Sequence, residues 1–343
     1  MLYKPLFIEH IHKEIEGFKT FSFQQGHGIE YKSGQYITFV QQTTHEAIRR
    51  SYSIVSSPLL NEPLAIGVRR IENGFFSREL IDHAKIGDEL LTTGAGGFFT
   101  LPDDVSTIRQ IFFLAAGSGI TPIYSLLKTV LHFHPNIHVV LIYSNSSLQS
   151  TIFFQQLNEL KQTFGERLEL RFLFSNSADL LTARLNRELL VQLTKAHSIC
   201  ALDQTLFYLC GPEAYMRMCI YTLQEESVPK ENIRKETFII QGKQPSKTDP
   251  PDKNTHAVTI QYGEENYQFD VHYPDSILQT AKKQNIVLPY SCETGRCGNC
   301  VAKCVKGNVW LSYNEVLTEN DLHNGLTLTC VGHPVGGDVI LKI

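Results

Sequence analysis

Three cysteines crowd into YSCETGRCGNC, residues 290–300, and a chain that gathers thiols so closely must fold this segment around something they share. The C-x4-C-x2-C spacing calls for a fourth ligand, and the only cysteine downstream of Cys304 is Cys330, in LTLTCVGHP, with 29 residues between it and Cys300. Zinc, disulfides and an iron–sulfur cluster are the three candidates. Structural zinc sites usually come as two separated short-spaced pairs. A triplet followed by one distant cysteine is the spacing that holds [2Fe–2S]. Gly295 and Gly298 also let the backbone curl and turn its N–H groups toward negatively charged sulfur. A [2Fe–2S] cluster on Cys292, Cys297, Cys300 and Cys330 is therefore expected, with zinc second and disulfides last.

The chain's 343 residues, 42% of them hydrophobic, suit two or three packed domains. The start, MLYKPLFIEHIHKE, lacks an apolar core followed by a cleavage site, and no window approaches the ~18–20 apolar residues of a membrane span. A soluble, cytoplasmic protein is expected, with Cys200, Cys210, Cys219 and Cys304 as buried, reduced thiols. Net charge is −4, and from Ala257 onward six Lys/Arg stand against nine Asp/Glu, or −3. No basic stripe suits nucleic acid or a membrane surface, and the acidic tail favours a partner with a positive patch.

Organisation follows from GKQPSKTDPPDKNTH, residues 242–256, a polar stretch with three prolines that reads as a linker. Beyond it, residues 257–343 run from hairpin-like AVTIQY and NYQFDVHY through the helix candidate DSILQTAKKQN and the cysteine loop to VAKCVKGNVWL, LTLTCV and DVILKI. Before it, residues 104–241 repeat strand then helix: IRQIFFLAAG and TPIYSLLKTVLHF, IHVVLIYS and FFQQLNELKQTF, LELRFLFS and LTARLNRELLVQL, TLFYLCG and PEAYMRMCIYTLQEE. That alternation predicts a doubly wound parallel sheet. Residues 1–103 hold short strands without a long helix, FKTFSFQQ, GQYITFVQQ, RRSYSIVSS, LAIGVRRI and DELLTTGAGGFF, and predict a small antiparallel barrel.

Ligands of doubly wound sheets bind beyond the C-terminal strand ends, where Gly117-Ser118-Gly119, Ser144-Asn145 and Cys210-Gly211-Pro212 fall. The glycines of AAGSGITP let backbone approach a pyrophosphate, and the helix that follows offers it N–H groups. The blander reading is a tight turn. Pro212 suits a first helical position, and Cys210 reads equally well as a packed core thiol. In the barrel, Arg50-Ser51-Tyr52-Ser53 sets a forked cation beside an aromatic ring and two hydroxyls. Gly74-Phe75-Phe76-Ser77 adds a turn with a capping hydroxyl. A strand arginine is more often a solvated edge residue. His132 and His134 in LHFHP read as ordinary surface or helix-end residues, and the other histidines show no ligand spacing.

Taken in order, G-Q-Y at Gly34 to Tyr36, R-x-Y-S at Arg50 to Ser53, V-R-R at Val68 to Arg70, G-x-x-S at Gly74 to Ser77, G-x-G-x-T-P at Gly117 to Pro122 and C-G-P at Cys210 to Pro212 resemble the ferredoxin–NADP reductase superfamily along essentially the whole chain. Residues 257–343 resemble a plant-type ferredoxin with its four ligands on the cysteines named above, in a β-grasp fold. Within the superfamily the chain is most similar to reductase components of multicomponent oxygenases, of the phenylacetyl-CoA epoxidase type that serves phenylacetate catabolism. The resemblance implies that Arg50 holds flavin phosphate, that Tyr52 lies against the flavin, and that Ser53 approaches its N5 region, with Ser51 in the same cofactor site. Val68, Arg69, Gly74, Phe76 and Ser77 would complete the flavin site. Thr121 and Cys210 would flank the stacked nicotinamide, with Gly117, Ser118, Gly119, Pro122, Ser144, Asn145, Gly211 and Pro212 around the rest of the nucleotide. Glu236-Thr237-Phe238 resembles the Glu-x-Phe ending of the nicotinamide domain and adds Phe238. FAD fits the G-x-x-S turn and the motif order better than FMN, which the phthalate dioxygenase reductase type carries. YSNSS, residues 143–147, offers neither the arginine that favours a 2′-phosphate nor an acid for a free ribose, so NADPH and NADH both stay open.

These cofactors imply a flavin between a two-electron donor and a one-electron acceptor, with electrons leaving for an oxygenase or other acceptor protein that docks near Glu293 and Arg296. Ser53, Thr121 and Cys210 are the expected catalytic residues, tuning and positioning the rings. Two alternatives share the motifs: a stand-alone NAD(P)H reductase of small acceptors, and a non-enzymatic redox sensor.

Overall fold

In the computed structural model, which describes residues 3–42, 47–238 and 248–343, period-two patterning closes the first hundred residues into a barrel. Its strands are β1 (Lys4–Ile15), β2 (Phe18–Phe23), β3 (Tyr36–Gln42), β4 (Ala47–Ser53), β5 (Ala65–Arg69) and β6 (Glu89–Gly96). They form one antiparallel sheet in the order β4-β3-β6-β1-β2-β5. A bridge from Ile54 to Ile66 brings the two edges together, which removes the exposed edges that would invite aggregation. Ile8, Phe21, Phe39, Ile66 and Val68 point into the core. Strand β1 adds to the five expected from the sequence, its buried Leu6 and Ile8 alternating with the exposed Phe7.

The next segment runs β7 (Gln110–Ala116), α1 (Ile120–Phe133), β8 (His138–Asn145), α2 (Phe154–Phe164), β9 (Leu168–Phe174), α3 (Leu180–Ala183), α4 (Arg187–His197), β10 (Thr205–Cys210), α5 (Glu213–Glu225) and β11 (Ile233–Glu236). All its strand pairs are parallel. Their order, β11-β10-β7-β8-β9, reverses direction between β7 and β10, and the crevice beyond that switch point is where such sheets take ligands. The run IFFLA of β7 is buried on both faces, as a strand covered by helices must be.

Barrel and parallel sheet belong to one compact unit, Tyr3–Thr237, and Phe238–Ile343 forms the other. The second unit carries β12 (His256–Tyr262), β13 (Glu265–Val271), α6 (Ile277–Lys283), β14 (Val301–Leu311), α7 (Glu319–His323), β15 (Leu326–Leu328) and β16 (Gly332–Lys342). Its order is β13-β12-β16-β14-β15, with β12 parallel to β16 and the other pairs antiparallel. This is the expected β-grasp. A reciprocal Ser276–Gln279 cap starts α6, which buries Ile277, Leu278 and Ala281. Each buried Ile or Leu is worth about 1.5–3 kcal/mol of transfer free energy.

Several local expectations are corrected. LTARLNRELLVQL is two helices, because the Asn186 side chain accepts from Leu189 N–H and starts α4 afresh. Pro212 is the residue before α5, in an extended conformation (ψ 146°), rather than its first helical residue. Ser77 does not cap a helix; its Oγ accepts from Ile71 N–H at 3.1 Å and donates to the Gly74 carbonyl at 3.2 Å. Cys330 lies in the turn between β15 and β16, not in a strand. Cys200 and Cys304 are only partly buried, whereas Cys210 and Cys219 are buried.

The linker reading needs a correction too. Residues 242–247 lie outside the described residues, but 248–256 are folded onto the second unit. Thr248 N–H donates to Ser312 O at 3.2 Å, Pro250 is buried, and Asp252 Oδ2 accepts from Gly336 N–H at 2.8 Å and meets His256 Nε2 at 2.6 Å.

Candidate functional site

At the C-terminal end of β7, Gly117 takes a left-handed conformation (φ 55°), and residues 117–119 make one tight turn before α1 begins. Tyr143 at the end of β8 donates its hydroxyl to the Gly117 carbonyl at 3.0 Å. Gly119 is pressed against the end of β10: a Cβ there would lie 2.0 Å from the Cys210 carbonyl oxygen and 2.8 Å from Gly211 N. Only a residue without a side chain permits this approach. The loops after β7 and β10 are thus locked together across the switch point, and the Gly117–Gly119 turn leads directly into α1, with Ile120 N–H donating to the Gly117 and Ser118 carbonyls. Thr121 is buried in the first turn, its Oγ1 donating to Ser118 O at 2.9 Å, and Pro122 is buried beside it. Asn145 is buried at the end of β8 with Nδ2 lacking a hydrogen-bond partner, next to the partly buried Ser144.

The barrel contributes β4, whose alternation decides which side chains face out. Arg50 is exposed and donates to its neighbour's carbonyl, Arg49 O, at 2.7 Å. Ser51 Oγ pairs with Thr38 Oγ1 at 2.9 Å on β3. The Tyr52 ring is 6.2 Å from Phe39 and 6.0 Å from Phe76, and burial pushes its phenol well above the usual range. Phe76 belongs to the barrel core with Val68, so its side chain packs inward while Phe75 is exposed. Arg69 is exposed at the end of β5. A Cβ on Gly74 would meet Ser77 Oγ at 2.5 Å, which ties that glycine to the folded-back hydroxyl.

Barrel and parallel sheet meet at Ser53. Its buried Oγ lies 3.5 Å from Glu236 Oε1, at the end of β11, and β11 pairs Glu236 with Cys210. Desolvation raises the Glu236 carboxyl from 4.5 to about 8, against a smaller opposing effect of the Ser53 hydroxyl. The Cys210 thiol is pushed up by burial and then by Glu236. A serine, a thiol and a carboxyl that is protonated at neutral pH therefore cluster where barrel and parallel sheet meet. In the sequence Glu236 stands out only as part of a motif. Phe238, the last residue of that motif, is the first of the second unit.

In the second unit, Glu293, Gly295 and Gly298 all take positive φ (57°, 75° and 73°), curling the cysteine loop as the glycines suggested. A Cβ on Gly295 would come within 2.9 Å of Tyr313 O. Cys300 and Cys330 are buried, each 3% exposed. Thr294 N–H donates to Cys292 Sγ at 3.4 Å. The thiols interact with one another: Cys297 and Cys330 pull Cys292 down and are themselves pushed up, and Cys330 is also raised by Cys300. Among the described residues no group of three or more His, Cys, Asp or Glu is set to hold a single metal ion. A two-iron cluster takes two thiolates per iron and needs no such group. Asn299 Nδ2, buried between two of the cysteines and without a partner, is a donor of the kind that cluster sulfurs accept. The loop fits the cluster. Glu293 and Arg296 are engaged in supporting it, Glu293 by Lys282 at 2.9 Å and Arg296 by Glu315 at 3.4 Å.

Comparison with known proteins matches this architecture piece by piece. Residues 8–101 match the oxidoreductase FAD-binding domain, 113–220 the oxidoreductase NAD-binding domain, and 260–335 the 2Fe-2S iron-sulfur cluster binding domain. The chain is 31% identical over 315 residues to a subunit of the 1,2-phenylacetyl-CoA epoxidase of Escherichia coli (strain K12), covering 91% of this chain and 88% of that protein. It is 28% identical over 316 residues to the ferredoxin reductase component of a Mycobacterium tuberculosis 3-ketosteroid-9-alpha-monooxygenase, covering 91% and 85%. Among solved structures, phthalate dioxygenase reductase superposes with a TM-score of 0.59 at 20% identity, over 99% of this chain and 98% of that one. No helix among the described residues is long and apolar enough to cross a membrane.

Proposed function

Because the chain belongs to the family of oxygenase-type reductases that join FAD-binding, NAD-binding and [2Fe–2S] domains in one polypeptide, we propose how its residues divide the work of electron transfer. The protein is an NAD(P)H-dependent oxidoreductase whose cofactors are FAD and a [2Fe–2S] cluster. When bound, FAD would supply the conversion between the two-electron chemistry of nicotinamide and the one-electron chemistry of the [2Fe–2S] cluster. Arg50 and Ser51 hold flavin phosphate, and Tyr52 orients the ring. The Gly117–Gly119 turn and the start of α1 take the nucleotide pyrophosphate, with Ser144 and Asn145 beside its ribose. Thr121, Ser53 and Cys210 keep water from the meeting point of the two rings. Cys292, Cys297, Cys300 and Cys330 ligate the cluster.

The observation that carries this reading is the meeting of Ser53 with Glu236, 3.5 Å apart, beside the Gly119–Cys210 contact. It joins the barrel strand that bears the flavin motif to the switch point of the nucleotide sheet. The acceptor is an oxygenase component, of the phenylacetyl-CoA epoxidase kind by the similarity to the Escherichia coli protein. The test is to add purified holoprotein and NAD(P)H to candidate oxygenase components and measure coupled product. Turnover that weakens with salt is expected for a charge-guided redox encounter. Rapid reduction of quinones or dyes with no oxygenase turned over would replace this reading by a stand-alone reductase.

A further inference from the structure

The helix that begins at the nucleotide turn is fastened to the barrel by a largely buried polar seam. Ser125, Lys128 and Thr129 of α1 are buried, 0%, 8% and 5% exposed. Thr129 Oγ1 lies 2.6 Å from Ser33 Oγ and 2.8 Å from Ser57 Oγ, and 3.0 Å from the Ser125 carbonyl. Ser125 Oγ donates to Ser56 O at 2.6 Å. Lys128 Nζ donates to Glu62 Oε2 at 2.5 Å, and the same oxygen accepts from Ser57 N–H at 2.7 Å. Every partner outside α1 is a barrel residue.

We propose that this seam is a positioning element for hydride transfer, with Thr129 at its centre. The inference rests on the reading of the barrel as the flavin site and the Gly117–Gly119 turn as the nucleotide site. Apolar helix packing tolerates small rotations, because dispersion and burial are not directional. A buried hydroxyl network does not, since each slip leaves donors and acceptors unpaired in a low dielectric. The seam therefore fixes the rotation and height of α1 against the barrel. Thr121 lies on the same face, one turn before Ser125 and about 12 Å along the axis from Thr129 at 1.5 Å per residue. It touches the barrel as well: a Cβ on Gly67 of β5 would fall 2.7 Å from Thr121 Cγ2. Play at Thr129 is transmitted along a rigid rod to the ring-stacking end, where a misplacement of about 1 Å can cost about 100-fold in rate.

The test compares Thr129→Val with Thr129→Ser in the flavin- and cluster-loaded protein. Val keeps the shape and deletes the hydroxyl; Ser keeps the hydroxyl. The expected result for Thr129→Val is a fall of about 10-fold or more in the single-turnover rate of flavin reduction by NAD(P)H, a larger isotope effect with deuterated nicotinamide, and a changed visible circular dichroism of the flavin. The dissociation constant of the oxidised nucleotide should change less than the rate of flavin reduction, because the substitution deletes no group that contacts the nucleotide and alters only how α1 is held against the barrel. Thr129→Ser should restore all of these. Wild-type flavin reduction in Thr129→Val, or equal impairment in both variants, would overturn the positioning role. Should Thr129→Val fail to fold, Ser125→Ala must show the same isotope signature for the proposal to stand. If NAD(P)H does not reduce the wild-type flavin, the reading of the site falls as well; wild-type reduction with unaltered variants sinks the seam alone.

Discussion

Glu236 carries a proton where most glutamates do not, and the consequence for stability can be worked out in sign. Its carboxyl titrates near 8 in the folded protein, against 4.5 for a free side chain. Between those pH values the folded state binds one more proton than the unfolded state, so stability falls as pH rises, by at most about 1.4 kcal/mol per pH unit. Glu236→Gln should flatten urea-unfolding stability of the first unit between pH 5 and 8; an unchanged slope would show that this carboxyl is not desolvated. The four cysteines proposed as cluster ligands were legible in the sequence because their spacing groups them. The state of Glu236 was not, because its desolvation depends on β11 lying beside β10 and on Ser53 arriving from the barrel. The side that Phe76 faces was hidden for a similar reason: its ring packs against Phe39 and Tyr52 while Phe75 is exposed, and only the fold decides between the two.

Between elements, the contact of the β7 and β10 loops is a tight constraint on the site. Gly119→Ala would place a methyl carbon 2.0 Å from the Cys210 carbonyl oxygen, closer than any packed pair can lie, so the two loops must part. The expected outcome is a loss of flavin reduction by NAD(P)H of about 100-fold, on the scale set by small misplacements of reacting groups, while cluster absorption stays as in the wild type. Ordinary reduction kinetics in that variant would show that the loops need not touch. Strand–helix alternation made the parallel sheet readable, since long apolar runs and amphipathic helices each have a distinct period. What it could not reveal was the break at Asn186, where one short polar side chain competes with helix continuation, or β1, whose charged outer residues mask its alternation of Leu6 and Ile8.

At the scale of the whole molecule, the segment read as a linker is in part structural. Asp252 holds Gly336 N–H and His256, and these bonds, led by the one from Gly336, keep its carboxyl well below the usual range. Asp252→Ala should lower the thermal transition of the cluster unit and leave that of Tyr3–Thr237 unchanged; a shift in both would mean the two units unfold together. Prolines and charges marked this stretch as a boundary, but a sequence period cannot show that isolated polar groups will find backbone partners in a distant strand. The division into units also frames the central claim, that electrons leave the flavin through the cluster. The most direct measurement of it is anaerobic mixing of wild-type and Cys330→Ser holoprotein with NAD(P)H, following flavin and cluster absorption and then the reduction of ferricyanide and cytochrome c. In the wild type both bands should bleach. In the variant the flavin should bleach and ferricyanide reduction persist, while cytochrome c reduction collapses. Cytochrome c reduction that survives without the cluster, equal loss of both activities, or a colourless zinc-containing wild type would contradict the account.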